Sequence, residues 1–109
     1  MEIKPDKFEA LNNWGNALSA QAKTEPGAEA DALFQQAYEK YARAVEIKPD
    51  YHQAWNNWGN ALSDQARTKE GPDGNALRQQ AGEKYARALE IAPDKHEAHF
   101  KMRSPHFMC

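Results

Sequence analysis

Apolar side chains recur at steps of three and four along most of this chain. Leu11, Trp14, Leu18 and Ala22 share one face of the stretch from Lys7 to Lys23, and Trp55, Trp58, Leu62 and Ala66 do the same from Tyr51 to Thr68. Leu33, Ala37, Tyr41 and Ala44 line a stretch from Ala28 to Ile47, and Leu77, Ala81, Tyr85 and Ala88 one from Asn75 to Ile91. The pattern predicts an all-α protein of four helices over those ranges, with a short fifth helix beginning at Lys95. Between the members of each pair lie turn-forming residues, Thr24-Glu25-Pro26-Gly27 and Glu70-Gly71-Pro72-Asp73-Gly74. There Pro fixes one dihedral and Gly permits a positive φ, so each pair reads as an antiparallel helix hairpin.

The starts of the first, third and fifth helices carry the same signal. Pro49 removes a backbone donor, Asp50 can accept from the first free amides, and Gln53 stands at the capping-box position; Asp6 with Glu9 and Asp94 with Glu97 repeat the arrangement. Gly15 and Gly59 fall inside helices, where glycine costs about 1 kcal/mol, so each predicts the close approach of a second helix beside a packed tryptophan.

These coincidences have one origin, an internal repeat. Ala10-Leu11-Asn12-Asn13-Trp14-Gly15-Asn16-Ala17-Leu18 returns as Ala54-Trp55-Asn56-Asn57-Trp58-Gly59-Asn60-Ala61-Leu62, and Glu39 to Ala44 returns as Glu83 to Ala88. The period is 44 residues, the spacing from Pro5 to Pro49 and from Pro49 to Pro93. Repeat one is 3–46, repeat two 47–90, and 91–103 opens a third, giving a repeat domain over 1–103 and a frayed tail over 104–109. Such self-similarity points to a solenoid in which each hairpin buries its face against the next.

The spacing within each repeat resembles the tetratricopeptide family, whose signature is Trp-x2-Leu-Gly-x2-Tyr, then Ala-x3-Phe, then Pro. Repeat two reads Trp55, Trp58-Gly59, Leu62, Ala81, Tyr85, Ala88 and Pro93; repeat one reads Leu11, Trp14-Gly15, Leu18, Ala37, Tyr41, Ala44 and Pro49. The likeness covers nearly all of Met1 to Ala98. The family's usual repeat is about 34 residues, and the excess here lies between the two signature halves, lengthening each helix by roughly one and a half turns. The resemblance implies a right-handed α-solenoid of long-helix tetratricopeptide type. It also implies a protein-protein interaction scaffold whose concave groove holds a peptide or partner helix. Asn12, Asn13, Asn16 and Ser19 of repeat one and Asn56, Asn57, Asn60 and Ser63 of repeat two fall on the face that would line that groove. Amides suit the task because they both donate and accept toward a peptide backbone. Among members that grip a terminal carboxylate, two gripping amides match Asn16 and Asn57. Asn12, Phe100 and Ser104 replace the basic residues of that grip, so a carboxylate clamp is not expected.

Composition narrows the alternatives. The net charge is −2 with 28% charged residues, which supplies no general attraction to nucleic acid or acidic membranes. No apolar run approaches a membrane span and no secretory leader is evident, so a cytoplasmic protein is the default expectation. The single cysteine, Cys109, has no internal disulfide partner. No enzyme motif or cofactor fingerprint appears; the glycines form no phosphate loop, and two hairpins enclose little volume for a water-excluding site. His96, His99, His106 and Cys109 are the one set with zinc-ligand chemistry, but Pro105 interrupts it and Cys109 ends the chain, so no metal is expected.

A repeat that stops partway predicts a piece of a longer array, natural or designed. It also raises a second functional reading, a self-associating structural unit with no ligand of its own. Phe8 and Leu11 would lie at an end that no preceding repeat covers, with His99, Phe100 and Met102 at the other. A homodimer is expected, by stacking of ends rather than by a swap at the turns, because Pro26 and Pro72 would break a fused helix.

Overall fold

The computed structural model describes residues 7–93, which form four α-helices: α1 (Phe8–Ala22), α2 (Gly27–Ile47), α3 (His52–Ala66) and α4 (Pro72–Ile91). No strand occurs among the described residues, and none of their helices is long and apolar enough to cross a membrane. α1 packs along α2 and α3 along α4, while α3 also rests on α2 and more lightly on α1. The expected fifth helix, the cap at Asp6, the cap at Asp94 and the set His96, His99, His106 and Cys109 lie outside the described residues.

The helix ends follow from local chemistry. α2 starts after Pro26 in extended conformation, with Gly27 at φ +35°, and α4 starts after Gly71 at φ +68°. α4 begins three residues before the expected Asn75, because Pro72 occupies its first position, where a missing N–H is harmless. At the far ends of α1 and α3 the two copies use one device: the Thr24 hydroxyl donates to the Gln21 carbonyl at 2.8 Å and the Thr68 hydroxyl to that of Gln65 at 2.7 Å. The capping box expected at Asp50 is not formed. Tyr51 is the N-cap residue of α3 with no side-chain cap bond, and Asp50 instead pairs with Lys48 at 3.0 Å. The Lys48 ammonium lies close enough to draw the Asp50 carboxyl below its ordinary pKa, chiefly by hydrogen bonding.

Inside each hairpin the repeated glycine meets the repeated tyrosine. A Cβ on Gly15 would lie 2.7 Å from the Tyr41 ring, and one on Gly59 would lie 2.7 Å from the Tyr85 ring, closer than any methyl can sit. Glycine is therefore required at both positions by the facing helix, despite its helix cost. Among the described residues two clusters make the core. One joins both hairpins through Ala30, Phe34, Ala37, Tyr38 and Tyr41 of the first and Ala61, Leu62, Ala81 and Tyr85 of the second; the other lies at the opposite end around Leu11, Ala44, Val45 and Ala54.

The end expected to expose Phe8 and Leu11 is covered by the next repeat. Leu11 is 5% exposed, and Phe8 meets Tyr51 edge to face at 4.8 Å. Among the described residues the exposed large apolar side chain is Trp14, at 40%, with the Lys40 ammonium 3.9 Å from its ring centre. Its counterpart Trp58 has the same partner, Lys84 at 4.1 Å, but stacks on Trp55 at 5.6 Å and packs against both core clusters.

Candidate functional site

The candidate site is the open side of α1 and α3, and it exists only because the hairpins are held side by side. That joint comes from the outer face of α2, where a buried apolar contact through Phe34, Tyr38 and Ala61 is joined by a polar network. The Tyr38 hydroxyl donates to Gln65 Oε1 at 2.7 Å and lies 3.3 Å from the Ala61 carbonyl. Gln65 Nε2 in turn donates to Asp31 Oδ1 at 3.0 Å, and Lys69 Nζ to Asp31 Oδ2 at 2.6 Å. The hydrogen bond from Lys69, then that from Gln65, holds the Asp31 carboxyl below its ordinary pKa. Burial raises the Tyr38 phenol well above its ordinary value, so it remains a donor throughout the physiological range.

On the other side of α3 the contact is with α1. Asn57 Nδ2 donates to Asn12 Oδ1 at 3.1 Å, and Lys23 approaches Asp64 at 3.5 Å, which also holds Arg67 at 3.1 Å. Between these two contacts the surface sinks into a depression of about 170 Å³, lined by Asn16, Ser19, Lys23, Tyr41, Asn57, Asn60 and Asp64, with Ala20 and Ala61.

The tyrosines of the return helices fix the amides at this surface. Tyr41 OH donates to Asn16 Oδ1 at 2.6 Å, and Tyr85 OH donates to Asn60 Oδ1 at 2.6 Å. The same glycine that admits the ring in each hairpin thus lets its hydroxyl reach the amide on the next residue. With one Oδ1 lone pair taken by the tyrosine, Asn16 and Asn60 are held in place and still offer both Nδ2 donors to a ligand. Ser63 Oγ lies 3.4 Å from Tyr85 OH and adds a hydroxyl there. Desolvation raises the Tyr41 and Tyr85 phenols, so neither ionises near neutral pH.

Of the eight residues marked from sequence, Asn16, Ser19, Asn57 and Asn60 line the depression. Asn12 is buried and serves the contact between repeats. Asn56 is 3% exposed, with an Oδ1 that has no hydrogen-bond partner among the described residues. Asn13 is exposed outside the depression, and Ser63 sits beside Tyr85. Sequence reading missed Lys23, which with Asp64 gives this surface a charged edge. It also missed Tyr38, Asp31, Gln65 and Lys69, which hold the two halves of the site together. Tyr38 and Asp31 were visible as positions where the copies differ, being Gly82 and Asn75 in repeat two. No group of His, Cys, Asp and Glu suited to a metal occurs among the described residues. Compared with the models of known protein families and with curated proteins, the chain matches none.

Proposed function

We propose that this chain is a protein-interaction scaffold of long-helix tetratricopeptide type, a right-handed solenoid that binds an extended peptide or a partner helix across α1 and α3. The observation that carries this reading is the pairing of Asn16 and Asn60. Both are anchored through Oδ1 by a tyrosine of their own hairpin, and both border one depression. Amides so oriented present donors at positions that do not have to be ordered on binding, which lowers the entropic cost of capturing a backbone carbonyl. Lys23 and Asp64 offer a cation and an anion at the same edge, so a ligand of mixed charge suits it better than a polyanion.

The test is selection of peptides from a displayed library, followed by binding measurements on Asn16→Asp/Asn60→Asp. Aspartate keeps the acceptor for the tyrosine hydroxyl and removes the Nδ2 donors, so the hairpins stay intact while the ligand contacts are lost. Selected peptides are expected to bind this variant about tenfold or more weakly, as for loss of hydrogen bonds at a partly desolvated site. Peptides that bind it unchanged would remove the depression from the account, and failure to select any would remove the scaffold reading.

A further inference from the structure

α1 carries a seam for a second helix that no helix among the described residues covers, although the Lys40 side chain lies over part of the Trp14 ring. Lys7, Ala10, Trp14, Ala17 and Gln21 follow one another at alternating steps of three and four, the spacing of a helix-packing seam. Lys7, Trp14, Ala17 and Gln21 are exposed and Ala10 is half-buried. One period later the seam reads Tyr51, Ala54, Trp58, Ala61 and Gln65, and there it is used. Ala54, Ala61 and Gln65 are buried, and Trp58 packs into the core, because the outer face of α2 lies across them.

The outer face of α4 does not repeat the groups by which α2 grips that seam. Asp31 becomes Asn75, Phe34 becomes Arg78 and Tyr38 becomes Gly82, and a Cβ built on Gly82 meets nothing within 4 Å. A neighbour docked head to tail through α4 would therefore lack the aromatic and acidic anchors of the internal joint. The α1 seam is instead complementary to itself. Trp14 stands near the middle of α1, with small Ala10 and Ala17 on either side to admit a close-packed helix. Lys7 at one end and Glu25 just past the other are exposed, and neither has an ion-pair partner among the described residues. Laid antiparallel on a second copy, the seam brings Trp14 against Trp14 and sets each Lys7 opposite the other copy's Gln21, one turn short of its Glu25, a gap of about 6 Å that the lysine side chain spans.

We propose that two copies of this chain pair through α1 as a closed, two-fold symmetric dimer centred on Trp14. A two-fold contact uses the same patch on both chains and leaves no open end, whereas head-to-tail stacking propagates. The contact uses the outer side of α1, so it is independent of the reading given to the depression.

Sedimentation velocity over a concentration series provides the test. The native chain is expected to rise from its 12.3 kDa monomer mass toward twice that value. Trp14→Asp is expected to remain monomeric throughout, with an unchanged circular dichroism spectrum. Lys7→Glu alone and Glu25→Lys alone are each expected to weaken association by about tenfold, since each replaces two attractions with two repulsions. Mixing those two variants is expected to restore it, because both pairs then regain opposite charges. A native chain that stays monomeric up to about 1 mM, the weak limit for a specific contact, would overturn the proposal. So would a mixture that fails to recover, or association that Arg78→Glu abolishes and Lys7→Glu leaves intact.

Discussion

The two repeats have nearly the same interior and different outer faces. Gly15 against Tyr41 and Gly59 against Tyr85 are equivalent contacts at the same distance, and the tyrosine bonds to Asn16 and Asn60 and the pairs Arg43–Glu46 and Arg87–Glu90 also recur. The outer faces of α2 and α4 diverge at Phe34 and Arg78, Tyr38 and Gly82, and Asp31 and Asn75. The first member of each pair docks a neighbour and the second faces outward. Identity between the copies thus marks what makes a hairpin, and difference marks what joins one hairpin to the next.

The comparison breaks most visibly at Phe34. The side chain is 1% exposed in the core shared by both hairpins, and Phe34→Ala is expected to cost about 3–5 kcal/mol by urea denaturation. Arg78→Ala, at the same place in repeat two, is expected to fall within about 0.5 kcal/mol of the native chain, as for other exposed positions. Equal losses at the two sites would mean that the outer faces are not specialised.

Glycines sharpen the same contrast. Gly15→Ala places a methyl against a ring that is bonded at its far end, and a net loss of about 1–3 kcal/mol is expected despite the gain in helix propensity. Gly82→Ala finds open space in the middle of α4 and is expected to raise stability by about 0.5–1 kcal/mol. Thermal melts of both variants decide the point, and a destabilised Gly82→Ala would show that α4's outer face is occupied.

The smallest expected effect is at Asp31. Its carboxyl is held below the ordinary pKa in the folded chain, so its contribution is present above the unfolded value of about 3.9 and fades as the pH falls through the lower folded value. The carboxylate is about one-third exposed, at 36%, so solvent screens it and Asp31→Asn is expected to remove about 0.5 kcal/mol or less at pH 7. Below the folded pKa the variant and the native chain are expected to converge in stability, and a gap that widens with acid would contradict the assignment.

This division explains what could be read from the sequence. The hairpins, their turns and the glycine contacts were legible because each signal occurs twice, so that local chemistry and periodicity agree at both copies. The observed helix bounds differ most from the expected ones at the start of α4, where Pro72 opens the helix rather than ending the turn. Asp50 was misread because an acid after proline serves a turn as readily as a cap, and Lys48 lies within reach of it. The joint between repeats was not legible, since a search for repetition discards Tyr38 and Asp31 as exceptions. The face bearing Asn12 and Asn57 was legible, but not its use. An amide that can bind a ligand is equally able to bind another amide, and only the placement of α3 beside α1 decides between them.

α2's outer face holds repeat two in place and thereby assembles the depression from α1 and α3. A double-mutant cycle on Tyr38→Phe and Gln65→Leu, measured by urea denaturation, tests it most directly, because the pair spans the joint with a 2.7 Å hydrogen bond and lies outside either hairpin's interior. Tyr38→Phe alone is expected to cost about 1–2 kcal/mol by leaving buried Gln65 short of a donor. The coupling between the two sites is expected to be about 1 kcal/mol. A coupling indistinguishable from zero would contradict the claim that this bond joins the repeats.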